Sequence, residues 1–60
     1  MKYSIAIECN NAAFVDQGPG QELARILRDL ADRLEVEGVT DRALMDLNGN
    51  RVGRVTVEED

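Results

Sequence analysis

Hydrophobic and polar residues alternate one by one through KYSIAIEC (2–9). Tyr3, Ile5, Ile7 and Cys9 fall on one face; Lys2, Ser4, Ala6 and Glu8 fall on the other. Successive side chains of a strand point to opposite faces, so this pattern predicts a β-strand with one face buried. The alternation stops at NNAAFVDQGPG (10–20). Asn10 and Asn11 suit a turn or the cap of a single helical turn through Ala12–Val15, and Gly18-Pro19-Gly20 stops the chain and restarts it. Pro19 fits the first position of a following helix, where its missing N–H leaves no bond unmade.

The period changes in PGQELARILRDLADRLEVE (19–37). Leu23, Ile26, Leu27, Leu30 and Leu34 recur at i, i+3 and i+4, flanked by Ala24 and Ala31, which predicts an amphipathic helix. Its polar face offers Arg25–Asp29, Arg28–Asp32 and Asp29–Arg33 at i,i+4, each worth about 0.3 kcal/mol when formed. Gly38 is placed to end the helix in a left-handed conformation, with Val39 folding back on Leu34.

Residues 41–58 read as two strands around DLNGNRVG (46–53). Asp46, Asn48 and Asn50 alternate as the first ligands of a calcium loop do, while Asn48-Gly49 is a strong hairpin signal. A calcium loop needs glycine at its sixth position and a carboxylate at its twelfth. Counted from Asp46 those positions hold Arg51 and Val57, so the stretch reads as a hairpin. A loop of Asn48-Gly49-Asn50 pairs Leu47 with Arg51 and Ala43 with Val55. It turns Ala43, Met45 and Leu47 to the same side as Gly53, Val55 and Val57. The acidic end, 58–60, is expected to fray.

The elements run β-α-β-β. The fold class is α+β: one domain over 1–60, with a single helix packed on one face of a three-stranded sheet and a C-terminal β-hairpin. The helix stripe is expected to bury against Ile5, Ile7, Met45, Val55 and Val57. The other sheet face then presents Lys2, Ser4, Ala6, Glu8, Arg42, Leu44, Asp46, Val52, Arg54 and Thr56. Ala6, Leu44 and Val52, with Arg54 at their margin, form either a modest protein-contact patch or an ordinary solvated face with scattered apolar residues. Pairing of an exposed strand edge with a second copy is a further route to a dimer.

Length changes the energetics. A chain of 60 residues buries only about 60% of the surface its unfolded form exposes and needs support from disulfides, a metal or self-association. Cys9 is the only cysteine and histidine is absent, which removes internal disulfides and the usual zinc ligand sets. A homodimer is the expected support. Twelve acidic residues against seven basic give a net charge of −5, a field that opposes nucleic acid. No segment has the length of a membrane span, and the N-terminus lacks a signal peptide's apolar run, so a cytoplasmic protein with no membrane partner is expected.

Candidate chemistry is thin. GPGQE at a helix start lacks the lysine and hydroxyl of a phosphate loop, and Asp16 and Glu22 crowd the same end with negative charge. Cys9 has no histidine to activate it and continues a buried strand face. No carboxylate pair is singled out by spacing, so neither catalysis nor a cofactor or metal is expected. Phe14, on the polar connection NNAAFVDQ, either plugs the open end of the core or, if exposed, marks a contact loop.

The segments ECNNAAF, ELARILRDLADRLE and DLNGNRVG together resemble short prokaryotic proteins of phage and mobile-element neighbourhoods, which bring no established activity. The opening MKYSIAIE is similar to HicB-type antitoxins. The second strand and Pro-Gly-Cys segment of that family are replaced here by the Asn-Ala loop and the helix, so its function is not carried over.

Three functional expectations follow. The first is a non-enzymatic protein-interaction or accessory protein acting on another protein through the open sheet face or the loop 10–18. The second is an inhibitor of a nucleic-acid-handling defence system, of anti-restriction or anti-CRISPR kind. Its Glu22, Asp29, Asp32, Glu35 and Glu37 would imitate a phosphate track, although Arg25, Arg28 and Arg33 interrupt it. The third is direct nucleic-acid binding by Lys2, Arg42, Arg51 and Arg54 around the hairpin.

Overall fold

The computed structural model of the chain describes residues 1–38 and 41–59, without the side chain of Gln17. Its elements are β1 (Lys2–Ile7), α1 (Ala12–Gln17), α2 (Pro19–Glu37), β2 (Arg42–Met45) and β3 (Arg51–Glu58). The sheet order is β1-β3-β2 with both neighbouring pairs antiparallel, so β1 and β2 run parallel on either side of β3. This is an α+β fold with one main helix, a short one before it and a C-terminal hairpin.

The connection after β1 is more helical than its sequence predicts, because α1 runs on to Gln17 instead of stopping at Val15. The Asn11 carbonyl accepts the N–H groups of Phe14 and Val15 at 3.1 and 3.3 Å. α2 starts at Pro19 and ends at Gly38, whose N–H still donates to the Leu34 carbonyl at 3.0 Å. Gly38 has φ 84° as expected of glycine, but ψ −162° makes the exit extended instead of left-handed helical. The expected return of Val39 lies outside the described residues.

The hairpin register differs from expectation by one residue along Arg42–Leu44 and by two at Met45. β2 pairs Arg42 with Val55, Ala43 with Arg54 and Leu44 with Gly53, then slips so that Met45 faces Arg51. Val52 is the extra residue on β3, and a bulge of this kind re-aims the side chain it displaces. Val52 and Val55 are therefore both buried although three positions apart. Leu44 turns inward, while Met45, expected against the helix, and Leu47, expected on the same side of the hairpin, are exposed.

The core consists of Phe14, Ile26, Leu30, Leu44, Val52 and Val55, with Ile7, Cys9, Leu23 and Leu34 packed half-buried around it. Phe14 and Val55 are wholly buried: the short helix α1 exists to seat Phe14 over one end of the core. Ile5 stays 48% exposed on β1, an edge strand of the sheet. Along β1 the register pairs Lys2 with Glu58, so Glu58, expected to fray, is a ladder residue. Asp60 lies outside the described residues.

α2 lies antiparallel to β2 and β1. Glu22 in its first turn accepts the Leu47 N–H beyond the end of β2, and Glu37 at its last turn is 3.7 Å from Arg42 at the start of β2. Gly53 on β3 is fixed by crowding: a Cβ there would meet the Ala6 carbonyl oxygen and come within 2.9 Å of the Ile7 Cα.

Candidate protein-interaction surface

Three regions carry polar or apolar groups beyond what the core uses. The first is the junction of the hairpin loop with the helices. Asp46, 5% exposed, accepts the N–H groups of Asn48 and Asn50 on Oδ1 at 2.9 and 2.8 Å. Its Oδ2 accepts the side-chain amides of Asn11 at 2.6 Å and Asn50 at 3.2 Å. The alternation of Asp46, Asn48 and Asn50 is thus a turn held by its own leading carboxylate. Gly49 supplies the positive φ of 85° that this turn requires. Asn11 precedes α1 but leaves that helix uncapped by its side chain and reaches across the fold to Asp46 instead.

Beside it, Glu22 takes both Arg25 Nε and Nη2, at 2.7 and 3.1 Å, and the Leu47 N–H at 2.7 Å. Arg25 passes a second bond to the Met45 carbonyl at 3.3 Å. The Arg25 guanidinium, above all, holds the Glu22 carboxyl below its ordinary 4.5; burial pushes it up, and the Leu47 N–H again lowers it. For Asp46 burial is the largest influence and raises the pKa. The bonds from Asn50, Asn48 and Asn11 together outweigh it and leave the carboxyl below its ordinary 3.8. Every oxygen of both carboxylates is engaged, so this junction staples the loop to the helices; beside it Asn11 Oδ1 is buried without a hydrogen-bond partner among the described residues. Among the described residues, no three histidine, cysteine or acidic side chains come together as a metal site would need.

The second region is the open sheet face. Ala6 and Arg54 face each other there, both exposed. Leu44 and Val52, expected beside them, are 6% and 8% exposed and belong to the core, because the bulge rotates β2 and Val52 inward. With Ala43 in place of Leu44 the face loses its apolar centre. Phe14 likewise is core and not a contact loop.

The acidic residues are scattered. Glu22, expected on the surface, is 2% exposed beneath the hairpin loop, where Arg25 neutralises it. Arg25 thus turns to Glu22 and not to Asp29, which pairs with Arg33 at 3.0 Å. Arg28 and Asp32 remain exposed and unpaired with each other. Asp32 and Glu35 face solvent, and Glu37 lies near Arg42. Of the cations proposed for nucleic acid, Arg42 is turned to Glu37, leaving Lys2, Arg51 and Arg54 exposed.

The third region is apolar, and it lies on the face expected to be buried. Tyr3 and Ile5 of β1 are 37% and 48% exposed, and Leu27 of α2 is 40% exposed. Arg25, Asp29 and Arg33 form the flank of α2 that lines the groove against β2. At 100° per residue, Leu23, Leu27 and Leu34 form the opposite flank, on the side of β1. β1 is also a free edge. Its Glu8 N–H donates to the Val52 carbonyl at 2.8 Å, and the ladder register makes every even residue of β1 the one bonded to β3. The N–H and C=O groups of Tyr3, Ile5 and Ile7 therefore point outward, on the same residues whose side chains form the apolar strip.

The chain is correspondingly open. Its accessible surface is 4232 Å², where a monomer of 6.6 kDa ordinarily exposes ~3,900 Å². Its radius of gyration is 11.9 Å, against about 10.4 Å for a compact chain of this length. No helix among the described residues is long and apolar enough to cross a membrane. No protein-family model, curated protein or solved structure matches the chain.

Proposed function

We propose that the chain acts by binding another protein chain, as a small acidic interaction or accessory module, and that the strip of Tyr3, Ile5, Leu27 and Leu34 is its contact. The observation that carries this reading is the coincidence of half-exposed apolar side chains with unbonded main-chain groups along β1. Apolar patches beside an open strand edge are what recognition by strand addition uses. The carboxylates with perturbed titration, Glu22 and Asp46, are consumed in holding the hairpin loop, which favours binding over catalysis. The lone thiol of Cys9 fits a reducing compartment, and we place the protein in the cytoplasm.

An acidic phosphate-mimicking track has less support. Glu22 is interior and Asp29 is paired, so the remaining carboxylates do not form a continuous row. Capture of partners by tagged protein from nuclease-treated host lysate tests the choice. A partner retained by the wild type and lost from both Ile5→Glu and Leu27→Glu supports the strip. One that survives both substitutions but is lost from Asp32→Lys with Glu35→Lys transfers the function to the acidic face.

A further inference from the structure

We infer that the strip's occupant is a second copy of this chain, bound by antiparallel pairing of β1 with β1′ about a two-fold axis through Ile5. This rests on the reading of the strip as a protein contact and names its partner. The phase of the ladder limits the possible pairings. Only odd residues of β1 offer outward N–H and C=O groups, so an odd residue must face an odd residue across the new ladder. Centring on Ile5 places Tyr3 opposite Ile7′, Ile5 opposite Ile5′ and Ile7 opposite Tyr3′, and each facing pair exchanges both of its hydrogen bonds.

The other face of the strand selects this register over its neighbours. Centring on Ile5 sets Lys2 against Glu8′ and Glu8 against Lys2′, with Ser4 against Ala6′ between them. Sliding the strands to the next allowed register in either direction sets Lys2 against Ala6′ or Asn10′ and loses both charge pairs. Lys2 faces Glu58 of its own chain across the β1–β3 ladder, but among the described residues neither Lys2 nor Glu8 comes within ion-pair distance of an opposite charge. Opposite charges facing across strands stabilise a pairing and like charges oppose it. The sequence of β1 is thus charge-complementary to itself when antiparallel, as an isologous contact requires.

The apolar side chains agree. Tyr3, Ile5 and Ile7 lie on the helix side of β1, so the joined sheet, β2-β3-β1-β1′-β3′-β2′, carries both copies of α2 on one face. The two Leu27–Leu34 flanks then wall a groove floored by Tyr3, Ile5 and Ile7 of both copies. The opposite edge is a poorer candidate: β2 is four residues long, and Arg25 already occupies the Met45 carbonyl.

Sedimentation equilibrium on the full chain over a wide concentration range, with circular dichroism confirming the fold of each variant, tests the inference. The wild type is expected to dimerise. Lys2→Glu and Glu8→Lys should each weaken the dimer about tenfold, since two symmetry-related pairs become repulsive. The double exchange of Lys2→Glu with Glu8→Lys should restore wild-type association. Ile5→Glu, which places two carboxylates on the axis at a half-exposed site, should leave a folded monomer. A wild type that is monomeric at ~1 mM overturns self-pairing. Partner capture that is lost on Leu27→Glu would then leave the interaction reading standing with a different occupant. A dimer indifferent to Ile5→Glu and to both charge changes also overturns the inference, because its contact lies elsewhere.

Discussion

Phe14→Ala separates the two roles that the sequence left open for this residue. The side chain is wholly buried, and it is the largest in the core. Truncating a buried phenylalanine to alanine costs about 3–5 kcal/mol in lost transfer energy and residual cavity. A chain of 60 residues has a total stability of roughly 3–9 kcal/mol, so the variant is expected to lose about a third of its stability or more. With a urea dependence of about 1 kcal/mol per molar, the unfolding midpoint should fall by about 3 M or more. Val15 is an internal control, because it is the next residue of the same short helix and is 71% exposed. Val15→Ala should change stability by less than about 0.5 kcal/mol. The assay is urea titration followed by far-ultraviolet circular dichroism, at one fixed protein concentration because the proposed self-association would add to apparent stability. If Phe14→Ala unfolds at the wild-type midpoint, the core assignment is refuted. If that variant also loses a partner, Phe14 is a contact residue after all.

Gly53→Ala should destabilise the β1–β3 pairing by about 1–3 kcal/mol, since its new methyl group meets the backbone of Ala6 and Ile7; a urea midpoint equal to wild type would contradict the close approach. Gly49→Ala should cost about 1 kcal/mol through the positive φ of the turn, read in the same titration. Glu22 and Asp46 both have pKa values lowered by folding, so their contribution is fully present above their unfolded values and is lost as pH falls through the folded ones. The urea midpoint should hold steady from neutral pH down to about pH 5 and drop progressively below about pH 4.5, and Asp46→Asn should flatten the lower part of that drop. A midpoint that rises on acidification would reverse the sign argued here.

The order of elements and the helix were legible because each rests on a single period: alternation in Lys2–Ile7 and the leucine stripe of Pro19–Glu37. The hairpin's existence was legible from Asn48-Gly49 for the same local reason, with a left-handed residue expected at Gly49 or Asn50; the positive φ falls on Gly49. Its register was not. A bulge adds a residue to one strand without altering either strand's alternation, so Leu44 and Val52 read as surface until the slip at Met45 is known. The surface assignment of Glu22 failed differently. Its place on the helix looked solvent-facing because the sequence does not reveal that the loop bearing Leu47 folds over it.

The apolar strip escaped notice because the sequence marks Tyr3 and Ile5 as one face of a strand but cannot say how far one helix reaches across three strands. The width of the stripe was the available signal. Leu23 and Leu34 pack against the core beside Ile26 and Leu30, and Leu27 between them on the same flank exceeds what the core uses. The self-complementarity of Lys2 and Glu8 about Ile5 was also present in the sequence. It acquires meaning only once β1 is known to be an edge and its odd residues to face outward.

Amide hydrogen exchange by nuclear magnetic resonance, as a function of protein concentration, tests this account most directly. Ser4, Ala6 and Glu8 donate to β3 and should be protected at every concentration. Tyr3, Ile5 and Ile7 should exchange rapidly in dilute solution and become protected as concentration rises, in step with dimer formation. Odd-numbered amides that exchange rapidly at all concentrations would contradict pairing through β1, and odd-numbered amides protected even at high dilution would show that the edge is already closed within one chain.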